Sequence, residues 1–102
     1  MKWLPRRSRS GKTDKGAKSA DRRYLEDFAR TRRGVEAFVE PQTVMSSTTV
    51  VLVAHDGEWT RRAVPNAQTA FHWANKLGIP CYDVNLVGYP QRMRDWKAGG
   101  AT

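Results

Sequence analysis

The spacing of apolar residues changes several times along the chain, and each change marks an element. Between residues 20 and 33, Tyr24, Leu25, Phe28 and Ala29 form a narrow apolar stripe of helical spacing on an otherwise polar segment. Ser19 is placed to cap a helix starting at Ala20, and Asp21 falls in the first turn, where the positive helix end favours an acid. Arg30, Arg32 and Arg33 precede Gly34, a good stop. Residues 35–44 alternate roughly, with Val35, Ala37 and Val39 against Glu36, Phe38 and Glu40. Pro41 has no N–H to give a ladder, so this segment is expected at a sheet edge or broken at the proline. Residues 48–54 (TTVVLVA) are β-branched or apolar almost throughout, the pattern of a central strand covered on both faces. Asp56-Gly57 supplies the positive φ of a hairpin. The chain then returns over 59–64, with Trp59, Arg61 and Ala63 on one face and Thr60, Arg62 and Val64 on the other.

Asn66 opens a second helix over 67–77, whose stripe is Ala67, Ala70, Phe71, Ala74 and Leu77. Gly78 and Pro80 end it, and 81–87 reads as a fourth strand with Tyr82, Val84 and Leu86 on one face. Strand, helix and strand with short joints imply a parallel crossover. The predicted fold is α+β in the order α-β-β-β-α-β: a four-stranded mixed sheet with a helix on one face, preceded by a disordered basic tail. Residues 1–19 form the disordered arm, 20–97 the domain and 98–102 a frayed end. Residues 91–97 are left as one helical turn or an irregular return.

Charge sharpens this division. The 102 residues carry +8, and twelve Lys+Arg against four acids in residues 1–33 account for all of it. The remainder is balanced, so the excess reads as an interaction arm rather than a general aid to solubility. One cysteine rules out an internal disulfide framework, and two histidines spell no dense zinc site. No apolar run reaches the roughly 18 residues of a membrane span, and no apolar stretch follows the basic start as in a secretory signal. A cytoplasmic location is expected, with no membrane and no cofactor.

Motifs for catalysis are weak. Gly11-Lys12-Thr13 resembles the end of a phosphate-binding loop, but Arg7 stands where that motif needs glycine. Residues 10–17 (SGKTDKGA) resemble the catalytic motif of tRNA pseudouridine synthases, with Asp14 in the key place, in a chain far too short for that fold. His55, His72, Cys81 and Asp83 are the residues a small enzyme would have to use. The stronger constellation is cationic and aromatic: Trp59, Arg61, Arg62, Tyr89, Arg92, Arg94, Trp96 and Lys97 share a surface if the third strand adjoins the C-terminal segment. The competing reading has Trp59 packing across the sheet, and Tyr89 and Trp96 locking that segment down, with Asp83 and Asp95 pairing the arginines.

Three stretches, 32–41 (RRGVEAFVEP), 48–62 (TTVVLVAHDGEWTRR) and 78–96 (GIPCYDVNLVGYPQRMRDW), are similar to a small, uncharacterised family of basic single-domain actinobacterial proteins, sometimes labelled oxidoreductase. The resemblance implies no agreed mechanism and carries over no site residue. The chain shows no dinucleotide motif, metal cluster or paired thiol that would support the label.

The sequence therefore predicts a non-enzymatic accessory protein that binds nucleic acid, with RNA or a ribonucleoprotein favoured. Phosphates would be neutralised by Arg6, Arg7, Arg9, Lys12, Lys15, Lys18, Arg22 and Arg23. Arg61, Arg62, Arg92, Arg94 and Trp96 would add contacts from the folded domain. The alternatives are a protein–protein module using 35–44 as an exposed edge strand, or recognising an acidic protein surface through the arm, and a small oxidoreductase-like enzyme.

Overall fold

A computed structural model describes residues 11–96, with side chains from residue 21 onward. Helix α1 (Gly11–Thr31) is followed by β1 (Glu36–Glu40), β2 (Thr49–Val53), β3 (Trp59–Ala63) and α2 (Ala67–Leu77). Strand β4 (Cys81–Asp83) leads into two short helices, α3 (Val84–Val87) and α4 (Gln91–Asp95). The four strands form one mixed sheet in the order β3-β2-β1-β4. Strand β2 is antiparallel to both neighbours, and β4 runs parallel to β1. The α+β class, the mixed sheet and the α-β-β-β-α-β order are as the apolar pattern implies.

Alternation along the strands sorts the core into two clusters. On one side Leu25 and Phe28 of α1, and Ala70, Trp73 and Ala74 of α2, close over Ala37, Val39, Val50 and Leu52. On the other side Phe38, Val51 and Val53 are covered by Trp59, Tyr82, Val84, Tyr89 and Met93. Every β2 residue from Val50 to Val53 is buried to 0% exposure, as expected of a strand covered on both faces.

Several boundaries differ from the expected ones. Helix α1 begins at Gly11, so Ser19 lies inside it rather than at its start. Residues 11–19 contain no proline, so the helix can extend back through them although Gly16 is a poor helix former. Of the arm expected to be disordered over 1–19, residues 11–19 belong to α1, while residues 1–10 and the expected frayed end at 98–102 lie outside the described residues.

Of the two outcomes expected from Pro41, the edge position does not occur, because Cys81, Tyr82 and Asp83 pair with Ala37, Phe38 and Val39, and the strand instead ends just before the proline. Pro41 follows the last ladder residue, where its missing N–H costs no ladder bond. The fourth strand ends at Asp83 rather than running to Val87, because the Asp83 carboxylate accepts the Asn85 N–H at 2.8 Å and turns the chain into α3. The buried face of α2 includes Trp73, while Phe71 is 37% exposed, a rotation that the simple stripe missed. The Trp73 indole N–H donates to Glu26 at 3.2 Å, tying α2 to α1. At the other end of α2, Asn66 accepts the Thr69 N–H and Gly78 closes the helix, as expected.

Candidate nucleic-acid interface

The described cations fall into two groups according to whether a carboxylate reaches them. Within the sheet and its C-terminal cover, Arg61, Arg62 and Arg92 are paired. Arg61 and Arg62 are neighbours on β3 and therefore point to opposite faces. Arg61 binds Glu40 through two hydrogen bonds of 2.8 and 2.9 Å. Thr49 donates to the same carboxylate at 2.6 Å, and the Tyr89 hydroxyl donates to its other oxygen. Burial raises the pKa of the Glu40 carboxyl, but the hydrogen bonds from Arg61, Thr49 and Tyr89 outweigh it and hold the group below the usual carboxylate value. Burial, then the hydrogen bond to Glu40, push the Tyr89 hydroxyl up. Arg62 instead lies over the Tyr24 ring at 4.1 Å and meets Asp21 of α1 at 3.6 Å.

Arg92 is a clamp. Its guanidinium donates to Glu36 at 2.5 Å, to the Ala54 carbonyl at 2.9 Å and to the Val53 carbonyl at 3.5 Å. The hairpin after β2 is built to receive it. Ala54 and Glu58 close a three-residue loop, and Gly57 sits at φ +101° with its α-carbon facing the Arg92 carbonyl. A β-carbon there would lie 2.2 Å from that oxygen. Trp96 packs against the same turn, half-buried, with its indole N–H enclosed and without a partner among the described residues.

The expected shared surface forms only in part: Arg61 lies over the Trp59 ring at 5.3 Å and meets Tyr89 at Glu40, while Lys97 lies outside the described residues. Strand alternation divides Arg61 from Arg62, Arg92 spends its donors on the fold, and Trp96 is no exposed stacking platform. The competing reading, in which Tyr89 and Trp96 hold the C-terminal segment, matches these contacts, although the acids are Glu36 and Glu40 rather than Asp83 and Asp95. Asp83 caps α3, and Asp95 accepts from Gln91.

The second group lies along α1 and its end. Arg23, Arg30 and Arg33 are exposed and have no ion pair among the described residues. Arg22 reaches Glu26 only at 3.7 Å, with its own side chain 65% exposed. Arg32, by contrast, is held by Glu58 at 2.9 Å and covers the Phe28 ring. Lys12, Lys15 and Lys18 belong to the α1 backbone, with side chains outside the described residues, as are Arg6, Arg7 and Arg9 altogether. Arg94 is exposed without a described partner. Arg30, Arg33 and the exposed Lys76 of α2 were missed as site residues. Arg23 and Arg30 stand seven positions apart, on the side of α1 away from Leu25 and Phe28, and that spacing was the available signal.

The groups a small enzyme would need do not meet. His72 is exposed on α2, His55 is exposed in the hairpin loop, and no hydrogen bond joins either to Cys81. Burial pushes the Cys81 thiol up to about 11, which keeps it protonated and poorly nucleophilic at neutral pH. No group of His, Cys, Asp or Glu among the described residues is arranged to hold a metal ion. No helix among them is long and apolar enough to cross a membrane. Comparison of the chain with known protein families, with curated proteins and with solved structures finds no match.

Proposed function

We propose that the protein is a non-enzymatic, cytoplasmic accessory protein that binds nucleic acid, RNA in particular, through the exposed cations of α1 and the basic segment before it. The observation that supports this is the contrast in pairing. Arg61, Arg62 and Arg92 are neutralised within the fold, whereas Arg23, Arg30 and Arg33 are exposed without a carboxylate partner among the described residues. Cations held apart from acids attract phosphates, and they release counterions when they bind.

The test is a salt titration of the full chain and an Arg23→Ala, Arg30→Ala, Arg33→Ala variant on one RNA. Each lost phosphate contact flattens the slope of log K against log salt by about 0.7 on a single strand. The triple variant should therefore flatten it by about 2. Equal slopes would remove α1 from the interface.

A second reading, a protein-interaction module, has a different basis from the edge strand first expected. The tip of the β1–β2 loop leaves Val44 and Met45 about fully exposed (101% and 90%), and α3 exposes Leu86 at 84%. In-cell crosslinking that recovers a protein and no RNA would select it.

A further inference from the structure

A cavity of about 180 Å³ opens where α1 meets α2 and the end of β3. Leu25, Val64, Ala70 and Trp73 give it an apolar wall, and the exposed side chains of Arg22 and Lys76 stand at its mouth. No carboxylate lines it. Glu26 is occupied by the Trp73 indole at 3.2 Å and by Arg22 at 3.7 Å.

An apolar recess with cations at its mouth, no lining acid, and Thr69 and His72 on its lining favours a flat ring with apolar faces and a polar edge, joined to a negative group. An apolar cavity of about 150 Å³ is known to admit one benzene ring, so this one has room for a six-membered ring. Its position supplies the rest of the argument. Arg22 belongs both to the cavity and to the cationic run of α1 that continues through Arg23 and Arg30.

We propose that this cavity receives one unstacked pyrimidine base of a single-stranded RNA, with the adjoining phosphate held between Arg22 and Lys76. This rests on the phosphate-binding role assigned to α1. A base stacked inside a duplex cannot enter such a recess, so the protein discriminates single strands from duplexes.

The experiment compares an oligouridine ten-mer with an abasic ribose-phosphate ten-mer of equal charge, on the full chain and on Thr69→Phe. Thr69 is exposed and lines the cavity, so the new ring fills it from outside the core. The full chain should bind oligouridine roughly tenfold more tightly than the abasic strand. Thr69→Phe should bind both at the abasic level, with its salt slope unchanged.

The amide resonances of Thr69 and His72 should shift with oligouridine and not with the abasic strand, which tests the site even if the variant fails to fold. Equal affinity of the full chain for both strands, with normal salt dependence, would overturn the cavity and leave the phosphate role of α1 standing. No binding of either strand at low salt would overturn both. Uridine monophosphate displacing the strand at an affinity equal to that of oligouridine would assign the cavity to a free nucleotide and overturn its placement on a strand.

Discussion

The two faces of the sheet are closed by different physics. Toward α1 and α2 the closure is apolar: Leu25, Phe28, Trp73 and Ala74 meet Val39, Val50 and Leu52, all nearly or fully buried. Toward the C-terminal segment only Phe38, Val51 and Val53 are fully covered, and carboxylates ring them. There Glu36 holds Arg92 and Glu40 holds Arg61, Thr49 and Tyr89. A domain of about 100 residues has only a small core. The second face is held by directional bonds, and these consume cations that composition alone would assign to a ligand.

The largest expected effect separates the faces directly. Leu52→Ala empties a fully buried site on the helix side and should cost about 2–5 kcal/mol in denaturant unfolding, enough to unfold much of a marginal domain. Met93→Ala, on the partly buried opposite cover, should cost clearly less. A reversed ranking would break the distinction.

Two glycines sharpen it. Gly57 and Gly78 both have positive φ, but a β-carbon at Gly57 strikes the Arg92 carbonyl, whereas one at Gly78 meets nothing within 4 Å. Gly78→Ala should cost about 1–2 kcal/mol for backbone strain alone. Gly57→Ala should cost more, and it should release the C-terminal segment to protease, because the clash lies on the clamp itself.

Arg92→Met keeps the bulk of the side chain and removes its donors. Glu36 then retains only the Tyr82 hydroxyl at 3.4 Å. A loss of about 1–3 kcal/mol is expected, with cleavage after residue 87 preceding global unfolding in limited proteolysis.

A smaller, pH-dependent effect comes from Glu40. Its carboxyl is held below the ordinary 4.5, so its contribution to stability is fully present above that value and is lost as pH falls through the lower folded pKa. Glu40→Gln should be less stable than the parent near pH 7, and the gap should narrow progressively in acid. A gap that stays constant down to strong acid would show that the carboxylate charge is not what binds Arg61. Least of all for stability, replacing Arg23, Arg30 and Arg33 with alanine should leave the melting temperature nearly unchanged, in contrast to the paired arginines of the second face.

How much of this was legible from residues alone follows the range of the interactions. The continuous β-branched and apolar run over 48–54 marked the most buried strand, Asp-Gly marked the hairpin, and Asn66 and Gly78 marked the ends of α2. These signals are local, because period, turn chemistry and caps act within a few residues. The confinement of the net charge to residues 1–33 is likewise a property of the chain itself.

Tertiary structure decided which strand lies at an edge, since β1 became interior only when a segment about forty residues later paired alongside it. It also decided the fate of each arginine. Arg92 reaches Glu36 across 56 residues and Arg61 reaches Glu40 across 21, separations at which nothing in the local pattern names the partner. The cavity at the α1–α2 seam, the enclosed Trp96 indole and the exposed cations of α1 all depend on which surfaces came together. A side chain's type determines what it can bond. Only the packed chain determines whether that capacity is spent inside the fold or left for a ligand.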